Sequence, residues 1–166
     1  MAMKRNDFVV VLFLGFLFLP FLYSERLLSA YLDVTSRFGL PASFVKFFIL
    51  ATLGEMIGLR IRCGVYYRRG FGLLPRALVW GFLGMTIHAA FGIFSSGVPN
   101  YLEKLGFVGA EVALNGGFTG LKLLTAFSVS LLLNVFYAPV LMTFHKVTDT
   151  HIAHTGGTLK GLFSPL

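Results

Sequence analysis

The stretch ALVWGFLGMTIHAAFGIFSSGV, Ala77 to Val98, decides the fold: 22 residues without one Asp, Glu, Lys or Arg. As a helix rising 1.5 Å per residue it is about 33 Å long, enough to cross a hydrocarbon layer of about 30 Å. Arg76 leads into it, giving a span over 76–98. Three more apolar runs share this character: Phe8 to Ser24 (8–24), Ala42 to Leu59 (42–60 with Arg60) and Leu121 to Phe144 (120–144 with Gly120). The sequence therefore predicts an all-α, polytopic membrane protein with four transmembrane helices.

Composition agrees. Of 166 residues, 56% are hydrophobic and 13% charged, against about 45–50% and 25% in soluble domains. This excludes an ordinary soluble enzyme and a disordered chain. Nucleic acid is not an expected partner despite the net charge of +7, because the basic residues punctuate apolar runs and form no single stripe. The lipid bilayer is the expected partner, with a homo-oligomer as a further one.

Between the spans, two short interfacial helices are expected. Ser24 to Phe38 alternates as an amphipathic helix, with Leu28, Tyr31, Leu32, Thr35 and Phe38 to one side and a stop at Gly39 and Pro41. Asn100-Tyr101-Leu102-Glu103 reads as a capping box opening a helix to about Leu114, ended by Asn115-Gly116-Gly117. Residues 1–150 form one four-helix domain in this reading, and 151–166 a loosely ordered tail. Lys4-Arg5 followed by 16 apolar residues resembles a signal peptide, but Leu28-Ser29-Ala30 is a poor cleavage site, and the run reads as an uncleaved first helix.

Charge placement orients the chain. Lys4, Arg5, Arg60, Arg62, Arg68, Arg69, Arg76, Lys146 and Lys160 make nine cations on one side; Arg26, Arg37, Lys46, Lys104 and Lys122 make five on the other. The positive-inside rule puts the nine, and both termini, in the cytoplasm of a cell inner membrane. The loop arginines (Arg60, Arg62, Arg68, Arg69 and Arg76) are expected to face headgroups or attract anions.

A few residues are costly in lipid. Ala51, Gly54, Glu55, Gly58 and Arg62 form one stripe, with Gly54 and Gly58 in a Gly-xxx-Gly step that admits a close neighbour. Gly81, Gly84, His88, Gly92 and Ser95 share a face of the next span. Ala126, Ser130, Asn134 and Ala138 step by four in the last, with Tyr137 beside them and Pro139 set to bend the helix. Glu55, His88 and Asn134 are thus each near mid-depth, where a carboxylate is expected to meet protein or water. They read either as a mutually satisfying polar cluster or as the lining of a small pore, with Ser130 and Tyr137 alongside. No metal site or cofactor is expected: one His and one Glu are too few ligands, and His145, His151 and His154 are irregularly spaced. Phosphate loops and a nucleophile with its base are missing from the sequence, and Cys63, the single cysteine, permits no internal disulfide. The chain is not expected to be an enzyme.

The order of these motifs resembles the twenty-two-kilodalton peroxisomal membrane protein family, whose mitochondrial members sit in the inner membrane. Gly54-Glu55 stands where that family has Gly-Asp closing a helix. Gly84-Met85-Thr86-Ile87-His88 keeps the Gly and His of Gly-Pro-x-x-His, with Met85 in place of Pro and Phe91 as the following aromatic. Leu133-Asn134 stands for Asp-Gln, followed at the family's spacing by Ala138-Pro139. The likeness spans about residues 42–143, with an extra helix before it and no aromatic-rich last helix after it. It implies a small four-helix membrane protein with channel behaviour. The functional expectation is a pore for ions or small solutes; the alternatives are a structural or assembly subunit and a membrane enzyme acting on lipid.

Overall fold

The computed structural model describes residues 4–165. Among them the chain is helical, without a strand: α1 (Arg5–Tyr23), α2 (Glu25–Arg37), α3 (Gly39–Cys63), α4 (Leu73–Lys104), α5 (Ala110–Ala113), α6 (Gly120–Leu132), a π-helical turn (Leu133–Tyr137), α7 (Ala138–His154) and α8 (Leu159–Leu162). Four helices are long and apolar enough to cross a membrane: α1, α3, α4 and the continuous helix Gly120–His154. The all-α, multi-span architecture is as the apolar runs predict. Large apolar side chains cover the outside, Phe16 at 80% exposure and Leu22 at 77% among them, as a lipid-facing surface requires.

Contacts divide the chain into two compact units, Met1–Ala42 and Ser43–Leu166. In the first, the Lys4 N–H donates to Asp7 Oδ2 at 2.7 Å and so fixes the start of α1. Ser24 Oγ accepts from the Leu27 N–H at 3.2 Å and caps α2. The rings of Phe21 and Tyr31 meet edge-on at 5.5 Å, pinning α2 to α1. The amphipathic helix expected at 24–38 is present.

In the second unit, α3 packs on α4 through glycine notches. A Cβ at Gly81 would lie 2.6 Å from the Phe44 ring, and one at Gly84 would lie 2.6 Å from Phe47. Two phenylalanines three residues apart on α3 thus seat over two glycines three residues apart on α4, which is the close approach small residues permit. At the opposite end of α4, Val98, Leu102, Ala110 and Val129 close a small core.

Three boundaries differ from the sequence reading. Pro41 does not stop a helix; it lies in the first turn of α3, where its missing N–H is not needed. Asn100 does not cap a new helix, because α4 runs on through Pro99 to Lys104. Glu103 instead reaches forward, its Oε1 accepting from the Gly109 N–H at 2.8 Å and so capping α5, which is one turn long. The segment after residue 150 is docked. Ile152 is 1% exposed, and Gly157 and Gly72 pack so closely that a Cβ at Gly157 would lie 2.6 Å from the Gly72 nitrogen. Both have positive φ, +71° and +70°, so glycine is required there for conformation as well as for space.

Candidate functional site

Five side chains from three spans of the second unit converge at its arginine-rich end. Glu55 comes from α3, eight residues before Cys63 and so about 12 Å from that helix end. Arg76 and Trp80 occupy the first two turns of α4, and His145 and Asp149 are one turn apart on α7.

Arg76 is the hub. Its Nε donates to the Phe71 carbonyl at 2.7 Å, and its guanidinium lies 4.6 Å over the Phe71 ring. Its Nη1 donates to Glu55 Oε2 at 3.2 Å and also to Asp149 Oδ1. The other oxygen of Glu55, Oε1, accepts from Trp80 Nε1 at 3.3 Å and meets His145 Nε2 at 3.3 Å. The Trp80 and His145 rings lie 4.3 Å apart. Side-chain exposure is 9% for Arg76, 13% for Glu55 and 16% for His145. Water is largely kept out, and each charge depends on its partner.

The local sequence explains the hub. A cation in the first turn of a helix opposes the positive end of the helix dipole; here two carboxylates offset it. Pro75 is tolerated beside it, being also in the first turn. On α7, four-residue spacing puts His145 and Asp149 on one face. Counted as Glu⁻, Asp⁻ and Arg⁺, the three charged side chains carry one net negative charge.

Glu55, His145 and Asp149 each offer a ligand atom within 4.8 Å of the others, as a metal-binding trio does. Arg76 Nη1 already bonds two of the three. A divalent ion there would have to displace a buried guanidinium, so the donor set fits an ion-pair network and not a metal centre.

Of the residues the sequence singles out, Glu55 and Arg76 come together, and Arg76 is part of the network instead of a headgroup-facing loop. His88 and Asn134 do not join Glu55. His88 is exposed on α4, with no hydrogen bond among the described residues. Asn134 is exposed in the π-helical turn, its side-chain amide donating to the Ser130 carbonyl at 2.8 Å. Its task there is local. The Ala138 N–H bonds five residues back to Leu133, widening the turn ahead of Pro139, and Asn134 satisfies a carbonyl within this irregular turn. Exposed Ser130 supplies only that carbonyl. Tyr137 turns inward, donating to Thr86 Oγ1 at 2.7 Å, and Pro139 is exposed just after the turn. Gly54 and Gly92 face open space, and a Cβ at Gly58 would meet only Arg62. Arg60 is buried and donates to the Gly64 carbonyl at 3.1 Å, while Arg62, Arg68 and Arg69 are exposed.

The sequence reading missed Trp80, His145 and Asp149. A signal for the last exists: beyond residue 34 the acids are Glu55, Glu103, Glu111 and Asp149, so only Glu55 and Asp149 belong to the arginine-rich side. Comparison of the chain with family models, curated proteins and solved structures finds no match.

Proposed function

We propose that this protein is a small permeation protein for ions or small solutes, controlled by the Glu55–Arg76–His145–Asp149 network. The observation behind this reading is the charge inventory at the point where three spans meet. Two carboxylates share one guanidinium, and an imidazole touches one of them. Holding helices together needs one acid and one base; here a second acid shares the guanidinium and an imidazole meets the first acid, more polar groups than packing alone requires. The likeness in motif order to the twenty-two-kilodalton peroxisomal membrane protein family supports the same direction. In this reading the arginine-rich end is cytoplasmic, both termini lie on that side of a bacterial inner membrane, and copies of the chain associate.

The competing reading is a structural or assembly subunit. It is favoured by the fact that both Glu55 oxygens are fully engaged within the protein. Solute release from liposomes separates the two. Wild-type protein is expected to pass ions or small solutes, and folded Glu55→Gln protein to show altered selectivity. Liposomes that stay tight at every pH and voltage would refute permeation. Exposed Cys63 reports orientation, since labelling from the periplasmic face would reverse the assignment.

A further inference from the structure

Helix α7 presents chemistry on two opposite faces. At about 100° per residue, His145, Asp149 and Ile152 fall in an arc of about 60°. That arc faces the interior: the first two join the network, and Ile152 is 1% exposed. Lys146, Val147, Thr150, His151 and His154 fall on the opposite side, and these five line an open cavity of about 400 Å³, within the size range of small-molecule sites.

The C-terminal turn engages one of these side chains. His151 Nε2 lies 2.9 Å from the Gly161 carbonyl oxygen; a carbonyl only accepts, so that nitrogen carries a hydrogen. Thr150 spends its own hydrogen on the Lys146 carbonyl at 2.8 Å. The donors left for a ligand are the Lys146 ammonium and the His154 imidazole. Asp149, the one acid of α7, is turned away to Arg76, and the charged residue of α8 is Lys160. The groove starts two residues beyond Phe144, the end of the apolar run, and extends about 12 Å to His154. It therefore occupies the level at which acyl chains give way to headgroups.

We propose that this groove binds the phosphate of an anionic phospholipid. Lys146 supplies a charge with three donors, and exposed His154 adds a ring N–H group. Val147 and the aliphatic stem of Lys146 offer an apolar wall to the first methylenes of the lipid. A free phosphate has no use for that wall, which is why the lipid is the ligand.

The test uses the full chain in phosphatidylcholine nanodiscs containing a minor fraction of phosphatidylglycerol, with native mass spectrometry counting the phosphatidylglycerol retained after transfer to detergent. The K146Q/H154Q variant is expected to retain on the order of tenfold less than wild type. R68Q/R69Q, which removes two exposed charges elsewhere on the same side, is expected to retain as much as wild type. Equal retention by K146Q/H154Q overturns the proposal, as does an equal loss in R68Q/R69Q, which would reduce the effect to general surface charge. Displacement of phosphatidylglycerol by inorganic phosphate also overturns it, because the phosphate alone would then be the ligand. Should K146Q/H154Q lose its native Trp80 emission, His154→Gln alone, at an exposed position, carries the same comparison.

Discussion

Replacing Arg76 with methionine tests whether the network is ionic. Methionine keeps much of the aliphatic volume and deletes the charge. The Nη1–Oε2 separation of 3.2 Å corresponds to an attraction of about 5 kcal/mol at an effective dielectric of about 20. Most of that is offset in the intact protein by the desolvation of both ions. In Arg76→Met the offset works in one direction only: Glu55, 13% exposed, stays buried without its cation. Breaking a buried pair in this way typically costs about 3–5 kcal/mol. Asp149, at 26% side-chain exposure, can turn towards water, so a loss near the lower end, about 3 kcal/mol, is expected. The readout is built into the site, because Trp80 is the one tryptophan of the chain and its indole N–H bonds Glu55. Denaturant titration in micelles, followed by Trp80 emission, reports the unfolding midpoint. Adding Glu55→Gln and Asp149→Asn to Arg76→Met removes the stranded charges and should restore most of the loss. An Arg76→Met protein within about 0.5 kcal/mol of wild type, or a triple variant no more stable than the single one, would refute the ionic account.

Two further outcomes follow from packing. Thr125 is fully buried and its hydroxyl has no partner among the described residues, so Thr125→Val, which replaces an unpaired hydroxyl by a methyl of similar size, is expected to stabilise by about 1 kcal/mol; a lowered unfolding midpoint would contradict this. Gly84→Ala pushes a Cβ to 2.6 Å from Phe47 and is expected to destabilise by about 1–3 kcal/mol, whereas Gly92→Ala, with nothing within 4 Å, is expected to be neutral or slightly stabilising through helix propensity; similar losses in both would show that α3 does not seat on α4 as described.

The spans were legible because length and hydropathy act locally: a run such as Ala77 to Val98 has one stable way to satisfy its backbone in lipid. The amphipathic segment from Ser24 to Phe38 was legible in the same way, as α2. Pro41 was misread because a proline stops a helix only where an N–H is needed or a ring clashes, and a first turn needs no N–H; Asn100 was misread because α4 absorbs Pro99 and continues. The glycines of α4 announced a close neighbour without saying which of them would be covered. Gly81 and Gly84 receive Phe44 and Phe47, and Gly92 receives nothing within 4 Å. That choice depends on where α3 starts relative to α4, a register the sequence pattern does not contain.

The same limit hid most of the charge network. Helical periodicity puts His145 and Asp149 on one face and Glu55 on a face of α3, but Arg76 and Asp149 are 73 residues apart and nothing local pairs them. Arg76 was open to two readings, since a cation at the end of an apolar run marks topology whether or not it also binds an acid. Physical reasoning narrows this more than pattern does. An acid about two turns inside a span cannot remain unpaired, and the nearest cation at the same level, reachable by a side chain bending inward from the helix start, is the one that opens the next span. His88, 12 residues beyond Arg76 on α4, and Asn134, 11 residues before His145, lie at another level and are less polar, and they are the ones left outside the network. Level along the helix and the strength of the electrostatic requirement together sort which polar groups come together here.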